Sequence, residues 1–298
     1  MNSDLSRFDF LQIDVFAERA GGGNPLGVVV DGSDWSDAAM QAFAHWTGLV
    51  ETTFLLPPTA PDTASYRLRI FTPTREIAFA GHPSVGSAHA ALQAGVAQLR
   101  DGTLVQECAA GLLTVRSETE SGIQRLFVEA PQARVLDTPG GLALDAILGA
   151  SARGRLAPVL VEGGRRWWIA EFADETGVRT YNADYAAIRK LALDSDSLGL
   201  CIFARCNNAD YDLVVRAFPA GVGIVEDPAS GAANGLIAAW LHASEPQGPL
   251  ARGYRVSQGR EIGHDAHIVT RIDANATVWV GGRSHTVVNG SAHWAKHG

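Results

Sequence analysis

The chain has 298 residues, 46% of them hydrophobic, and a formal net charge of -8 at pH 7. This length can bury two ordinary cores, and an acidic chain without a Lys/Arg-rich block does not suit nucleic acid, because phosphate binding needs a concentrated basic surface. The first ten residues lack targeting character and no apolar run approaches the roughly 20 residues of a membrane span, so we expect a cytoplasmic protein with no membrane partner.

The cysteines and histidines do not indicate a metal site. Cys108, Cys201 and Cys206 are an odd number without metal-ligand spacing, which is typical of a reducing compartment. The histidines show no H-x-x-x-H or H-E-x-x-H pairing on a predicted helix. We therefore expect neither a disulfide framework nor a bound metal.

The chain begins with a predicted hairpin. Residues 8–15 alternate as a strand, a glycine-rich cluster at residues 21–25 turns the chain, and residues 26–30 read as a second strand. A dinucleotide-binding loop is the alternative interpretation of these glycines, but strand rather than helix follows them. Residues 34–46 then have helical spacing, with Ser33 or Asp34 as cap and Gly48 as stop.

Glu51 opens the next predicted strand, E-T-T-F-L-L-P-P, among apolar neighbours. Two interpretations of this carboxyl remain open. It is either an edge residue that faces water or a desolvated acid whose pKa is raised.

A strand at residues 66–71 leads to a helix around which the first half is organised. No Asp, Glu, Lys or Arg occurs between Pro83 and Arg100, and a helix without a charged face has to be covered on all sides. Pro83 suits the first helical position, with Gly81 and His82 just outside it. The free N–H groups of the first turn would then be available to an anion.

The same pattern returns in the second half. The motif P-x-x-G-[S/A]-A occurs at residues 83–88 and 228–233, and each copy follows an R-x-F element, at residues 69–71 and 216–218. The prolines of the two copies, Pro83 and Pro228, lie 145 residues apart. This repetition indicates two similar halves.

The remaining pattern is mostly short strands separated by turns. Strands are predicted at residues 103–115, 125–128, 157–161, 166–172, 199–205, 211–218, 254–258, 267–273 and 276–281, and helices at 142–148 and 183–193. The sequence therefore predicts an α+β chain of two sheets, each closed around a helix. We expect an N-terminal domain at residues 1–130, completed by the tail at 284–298, a linker at 131–139 and a C-terminal domain at 131–283.

Titratable groups precede the prolines of both helix starts. Asp227 is either a helix cap or a functional acid, whereas His82 is a poor cap and a natural acid/base group. If the halves are related by a pseudo-twofold axis, both helix starts can face one cleft and bind an anionic ligand. The G-x-S-x-G nucleophile motif is absent at Ser87 and Ser230.

The motifs together resemble the phenazine biosynthesis PhzF-like family across nearly the whole chain. The resemblance rests on the E-T-T-F element at Glu51, the runs at residues 71–88 and 226–233, and Gln258-Gly259 with Gly263. It implies the diaminopimelate epimerase-like fold, in which the two pseudo-symmetric domains are each a mainly antiparallel β-structure closed around a central helix. It further implies an active site between the domains and a homodimer.

The resemblance also implies roles for single residues. Glu51 matches the catalytic acid/base, and His82 and Asp227 match supporting polar residues. The residues expected to bind substrate are Gly81, Pro83, Ser84, Ser230, Gly231, Ala232 and Gln258. Ser84, Ala232 and His264 depart from the usual Thr, Ser and Arg, and these departures bear on the substrate more than on the fold.

The implied activity is a cofactor-independent proton shift on a small, anionic, dihydro-hydroxyanthranilate-like molecule. Amino-acid epimerases of this fold use a cysteine at each helix entrance, where this chain has Ala80 and Ser230. An isomerase is therefore favoured, with an amino-acid epimerase or racemase and a non-catalytic binder as alternatives.

Overall fold

The computed structural model describes residues 5–137, 141–149 and 153–297. The chain divides into two compact units, Met1–Glu129 with Gly281–Gly298 as unit 1 and Ala130–Val280 as unit 2. No helix in the described ranges is long and apolar enough to cross a membrane.

The described elements, in chain order, are mostly short strands. The helices are α1 Asp37–Thr47, α2 Gly81–Gln93, α3 Gly141–Leu148, α4 Glu175–Thr180, α5 Tyr185–Asp194 and α6 Gly231–Ser244. The strands of unit 1 are β1 Ser6–Val15, β2 Asn24–Val29, β3 Thr52–Leu56, β4 Tyr66–Phe71, β5 Glu76–Ile77, β6 Thr103–Cys108, β7 Gly111–Glu120, β8 Ile123–Glu129 and, at the end of the chain, β17 Ser284–Trp294. The strands β9 Arg134–Leu136, β10 Val159–Gly163, β11 Arg165–Glu171, β12 Leu200–Arg205, β13 Leu213–Phe218, β14 Arg255–Gln258 and β15 Ala266–Ile272 belong to unit 2, and β16 Val278–Gly282 lies at its boundary.

The two units repeat one order of strand pairing. In unit 1, β1 is antiparallel to β2, β2 is parallel to β3, β3 is antiparallel to β4, and β4 is parallel to β6, which is antiparallel to β7. In unit 2, the strands β10 to β15 repeat these five relations in the same order. The predicted division into two similar halves is therefore visible in the topology of each unit.

The charge-free helices are the buried centres of their units. In α2, nine of the 13 residues are buried, and the helix contacts strands β1, β2, β3, β4, β6, β8 and β17. In α6, nine of the 14 residues are buried, and the helix contacts β10, β11 and β15. The α+β fold class is confirmed, and the lack of a charged face explains why both helices lie inside.

The helix starts differ from the predicted positions. Helix α2 begins at Gly81, so Pro83 is its third residue, and α6 begins at Gly231, three residues after Pro228. The starts are 150 residues apart, so the repeated prolines are not structurally equivalent. In unit 1 the proline lies inside the first turn, where its missing N–H is tolerated, whereas in unit 2 it lies in the preceding loop.

A repeated arginine–glutamate contact shows how the two units align with each other. Arg69 donates from Nε and Nη2 to the carboxylate of Glu76, both at 2.7 Å, and its guanidinium lies over Phe71 at 5.1 Å. In unit 2, Arg216 makes the same two-pronged contact with Glu226 at 3.0 and 2.9 Å, and its guanidinium lies over Phe218 at 5.1 Å. Each glutamate lies five residues before its helix, so the R-x-F elements belong to the repeat.

Other helix and strand boundaries also differ from the predicted ones. Helix α1 is capped by Ser36 instead of Ser33 or Asp34, while its predicted stop, Gly48, is confirmed in the left-handed conformation. The predicted linker at residues 131–139 contains strand β9, which pairs with β10, and its last two residues lie outside the described residues. Helix α4 and strand β17 were not predicted as elements.

Candidate active site

Glu51 lies between a helix end and a strand start. It follows α1 by four residues and directly precedes β3, where its carbonyl accepts a hydrogen bond from Gly27 N at 3.4 Å. Gly27 belongs to β2, which runs parallel to β3. Glu51 is thus held at the entry to the sheet and is not part of the strand that its sequence motif predicted.

The side chain of Glu51 meets His82 in the first turn of α2. Glu51 Oε2 lies 3.5 Å from His82 Nε2, and the two side chains are only 12% and 8% exposed. This low exposure does not fit an edge residue in water, while a raised pKa of the Glu51 carboxyl stays a prediction. The sequence separates these residues by 31 positions, and the fold brings them together.

His82 is neutral at physiological pH. Burial lowers the pKa of His82 to about 3, and the opposing effect of the hydrogen bond between its ring and the backbone of Pro25 is smaller. A neutral imidazole does not neutralise a carboxylate. The 3.5 Å contact is therefore not an ion pair, although the two residue types suggest one.

The start of α2 offers backbone donors next to this pair. Gly81 is the first helical residue, and Ala80 caps the helix without a side-chain hydrogen bond. The N–H groups of Gly81 and His82 have no carbonyl partner within the helix. Ser84 turns inward, because its Oγ donates to Ala80 O at 2.9 Å and it is fully buried. The entrance can receive an anion through Gly81 and His82, while Ser84 braces the turn.

The start of α6 carries the second set of predicted residues. Ser230 is the N-cap and its Oγ accepts from Ala233 N at 3.3 Å, followed by buried Gly231 and exposed Ala232. Asp227 is not the cap of the helix: its Oδ1 accepts from Ala229 N at 3.2 Å and shapes the turn before the helix. The structure thus brings Asp227, Ser230, Gly231 and Ala232 to one helix entrance.

Gln258 lies inside the fold, not at the surface of this entrance. Its side chain is fully buried and contacts Asp227, Ser230 and Asn234. These contacts occupy its amide, and the expectation that it binds substrate directly stays a prediction. Gln258 lies on β14 beside Val215 of β13, and its side chain contacts the loop that leads into α6.

The glycine-rich turn between β1 and β2 was interpreted only as a hairpin tip. The hairpin is confirmed, and the turn also contributes to the site through the Pro25 contact with His82. Buried Asp14 accepts from Gly23 N with both carboxylate oxygens, at 3.1 and 3.0 Å. A Cβ at Gly23 would lie 2.1 Å from Val15 O, which requires glycine there. An aspartate in an apolar strand before a glycine cluster was the signal that sequence reasoning missed.

The helix entrances carry no thiol. Both N-cap residues, Ala80 and Ser230, lack sulfur, and burial raises the pKa of the Cys201 thiol in β12 well above its ordinary value. Among the residues that the structure describes, no group of three or more histidine, cysteine, aspartate or glutamate side chains is arranged to hold a metal ion.

Comparison with known proteins identifies the family. The profile of the phenazine biosynthesis-like protein family matches residues 13–290. The chain belongs to this family. A Pseudomonas aeruginosa relative, trans-2,3-dihydro-3-hydroxyanthranilate isomerase, is 30% identical over 89% of this chain and 90% of its own length. The "Antisense-enhancing sequence 1" protein of Schizosaccharomyces pombe is 31% identical over 97% of this chain and 99% of its own length.

Solved structures of the phenazine biosynthesis-like family share the fold. The Bacillus anthracis PhzF family protein superposes with a TM-score of 0.85, covering 96% of this chain and 99% of its own, at 21% identity. A hydroxyproline epimerase from Agrobacterium vitis superposes with a TM-score of 0.61 at 14% identity. With relatives named as isomerases matched along most of their length, the chain is an isomerase-family enzyme.

Proposed function

We propose that the protein is a cofactor-independent isomerase in which the Glu51 carboxyl moves a proton between two carbons of a small, carboxylate-bearing substrate. The observation that carries this proposal is the Glu51–His82 pair, in which a nearly buried carboxyl faces a neutral imidazole at the start of a helix. A shielded carboxyl that its neighbour does not neutralise is suited to take up and release one proton.

The proposed step conserves protons and electrons. The Glu51 carboxylate removes a proton from one carbon, and the electron pair of the broken C–H bond shifts into the adjacent unsaturated system. The double bond moves, and the Glu51 carboxyl returns the proton to a second carbon. The carboxylate is regenerated, so the step consumes no further reactant.

The substrate is proposed to be similar to dihydro-hydroxyanthranilate, the substrate in the name of the Pseudomonas aeruginosa relative. Its carboxylate would bind the free N–H groups of Gly81 and His82, where the helix dipole also favours negative charge. That the entrance of α6, with Asp227 and Gly231, binds the same molecule stays a prediction.

Two other readings of the same site differ in what they require of Glu51. An epimerase would return the proton to the carbon from which it came, and the absence of thiols at Ala80 and Ser230 disfavours the two-cysteine form. A non-catalytic binder would not need a shielded acid at all.

The test is Glu51→Gln, which keeps the shape and a hydrogen-bonding group but removes the ability of the side chain to accept and return a proton. The measurement is turnover of trans-2,3-dihydro-3-hydroxyanthranilate in heavy water. The wild type should form the isomerised product, with deuterium label at the carbon to which Glu51 returns the proton. Glu51→Gln should lower kcat by about 10²–10⁴-fold, the usual contribution of a positioned acid or base. Circular dichroism should show an unchanged fold.

Glu120→Gln is the matched control, because Glu120 is in the same unit and its side chain is 75% exposed. It should keep wild-type turnover. Wild-type turnover in Glu51→Gln would refute the proton-shuttle proposal. Binding of the substrate without any turnover by the wild type would favour the binder, and label at the original carbon with inverted configuration would favour the epimerase.

A further inference from the structure

Each central helix is held at its start by a buried glutamine. Gln106 lies on β6, beside Tyr66 of the parallel strand β4, and Gln258 lies on β14, beside Val215 of the parallel strand β13. Both side chains are fully buried. The strands that carry them occupy equivalent places in the repeated pairing order, directly after the central helix of each unit.

In unit 2 the glutamine binds the helix entrance directly. Gln258 Oε1 accepts from Ser230 N at 3.3 Å and from Asn234 Nδ2 at 3.0 Å, and Gln258 Nε2 donates to the Asp227 carbonyl at 2.8 Å. Asn234 Nδ2 also donates to Ser230 O at 2.9 Å. One amide therefore fixes both ends of the turn from Asp227 to the helix cap.

In unit 1 the contact runs through one hydroxyl. Gln106 Nε2 donates to Ser84 Oγ at 3.1 Å, and Ser84 Oγ donates to the Ala80 carbonyl at 2.9 Å. Tyr66 donates from its hydroxyl to Gln106 Oε1 at 3.2 Å, and burial raises the pKa of Tyr66, which keeps that donor protonated. Ser84 and Asn234 are equivalent, since each is the fourth residue of its helix and bonds the carbonyl of the cap.

We propose that Gln258 is a positioning residue that holds the Asp227–Ser230 turn, and thereby the Asp227 carboxyl and the free N–H of Gly231, in the arrangement that receives substrate. Gln106 does the same for the start of α2. The part that concerns substrate rests on the proposed function, whereas the part that concerns the turn stands on the hydrogen bonds alone.

A glutamine is required because the site needs a donor and an acceptor at one buried side chain. An ionised carboxylate at position 258 would still accept from Ser230 and Asn234, but its second oxygen would face the Asp227 carbonyl without a proton between them. A protonated carboxyl has the shape of the amide and would donate to Asp227 again. The effect of the substitution should therefore reverse with pH.

The experiment is hydrogen exchange of Gln258→Glu, compared with wild type at the same pH. At pH 7 the amides of residues 227–234 should exchange about tenfold faster or more, because a buried hydrogen bond is lost and an acceptor is left unsatisfied. At pH 5 much of this difference should disappear as the introduced carboxyl takes up a proton. A role in general packing alone would give the same loss at both pH values.

Gln106→Glu is the matched control in the other unit. It should loosen residues 80–86 and leave residues 227–234 as in wild type. If Gln258→Glu does not fold, Gln258→Met, uncharged and of similar length, should loosen residues 227–234 at both pH values. Wild-type exchange of these residues in a Gln258 variant, or loosening that does not respond to pH in Gln258→Glu, would overturn the proposal.

Turnover separates this inference from the proposed function. With a substrate that the wild type converts, Gln258→Glu should raise KM about tenfold at pH 7. At pH 5 its KM should return toward that of the wild type, because the turn is restored and the Glu51–His82 pair is untouched. Altered exchange with an unchanged KM would keep the positioning of the turn but remove its role in binding. Loss of activity in Glu51→Gln has no bearing on the exchange result.

Discussion

At the scale of single residues, the site depends on a histidine that its surroundings keep neutral. His82 adjoins a carboxyl, which alone would favour the imidazolium, yet burial dominates and lowers the pKa of His82 to about 3. In the unfolded chain an imidazole has a pKa of about 6.5. The folded protein therefore disfavours protonation of His82, which links the stability of unit 1 to pH.

The predicted consequence is a loss of stability in mild acid. Because the folded pKa of His82 lies below the unfolded pKa, the contribution is complete above pH ~6.5 and is lost as pH falls toward 3. Between pH 7.5 and 5.5 the free energy of unfolding should fall by about 1 kcal/mol from this group. Urea unfolding over this range measures the slope.

His82→Gln should flatten the slope, whereas His45→Gln should preserve it, because His45 is exposed and its Nδ1 lies 3.2 Å from the carbonyl oxygen of Pro73. An equal slope in wild type and His82→Gln would contradict a neutral, buried His82.

At the scale of elements, the central helices fit their surroundings through small residues. A Cβ at Gly86 of α2 would lie 2.6 Å from both Leu26 Cδ2 and Val15 Cγ2. At Gly235 of α6, a Cβ would lie 3.0 Å from the Ala130 Cβ and 3.3 Å from Val280 Cγ2. The small residues that the sequence shows in both helices are thus explained by close approach of the surrounding chain.

We expect Gly86→Ala to destabilise the protein more than Gly235→Ala. Alanine gains roughly 1 kcal/mol of helix propensity over glycine in each helix, while overpacking typically costs about 1–3 kcal/mol. The shorter distances at Gly86 should make its net change unfavourable, and the longer ones at Gly235 should leave a change near zero. Chemical denaturation of both variants checks the order, and the reverse order would show that α2 has room to shift.

At the scale of the whole molecule, the chain returns at its end to its first unit. Strand β17 pairs with β1 along the full length of β1, from Ser6 with Trp294 to Val15 with Ser284, with one bulge. After this strand, the Lys296 carbonyl accepts from Ser36 N, which caps α1. Unit 1 therefore needs both ends of the chain.

A chain that ends after Arg283 should lose the structure of unit 1. The amides and carbonyls of β1 that bond β17 would be left without partners, and α2 would lose one of its covering strands. Hydrogen exchange should show loss of protection in β1 and α2. A chain that ends after Lys296 keeps the strand and the carbonyl, and it should match the full chain. Normal protection of β1 in the chain that ends after Arg283 would refute this account.

The expected homodimer stays a prediction, which sedimentation of the full chain tests.

Local patterns predicted much of what the structure contains. Strand β4 was predicted residue by residue, the hairpin of β1 and β2 by its glycines, and the end of α1 by Gly48. The lack of charge in α2 and α6 predicted their burial, because a helix surface without charged side chains is unstable in water. Glu51 and His82 were singled out by residue type and by family resemblance.

What the sequence by itself determined is therefore the fold class, the family and the identity of the candidate groups, since these depend on composition, periodicity and motif. Only the tertiary structure decided the register of the repeat and the state of the site. Pro83 and Pro228 match as letters but occupy different places, because the helix starts align with the glutamates that Arg69 and Arg216 bind and not with the prolines. The neutrality of His82, its contact with Glu51 31 residues away and the inward position of Gln258 follow from burial by distant strands, which no local pattern encodes.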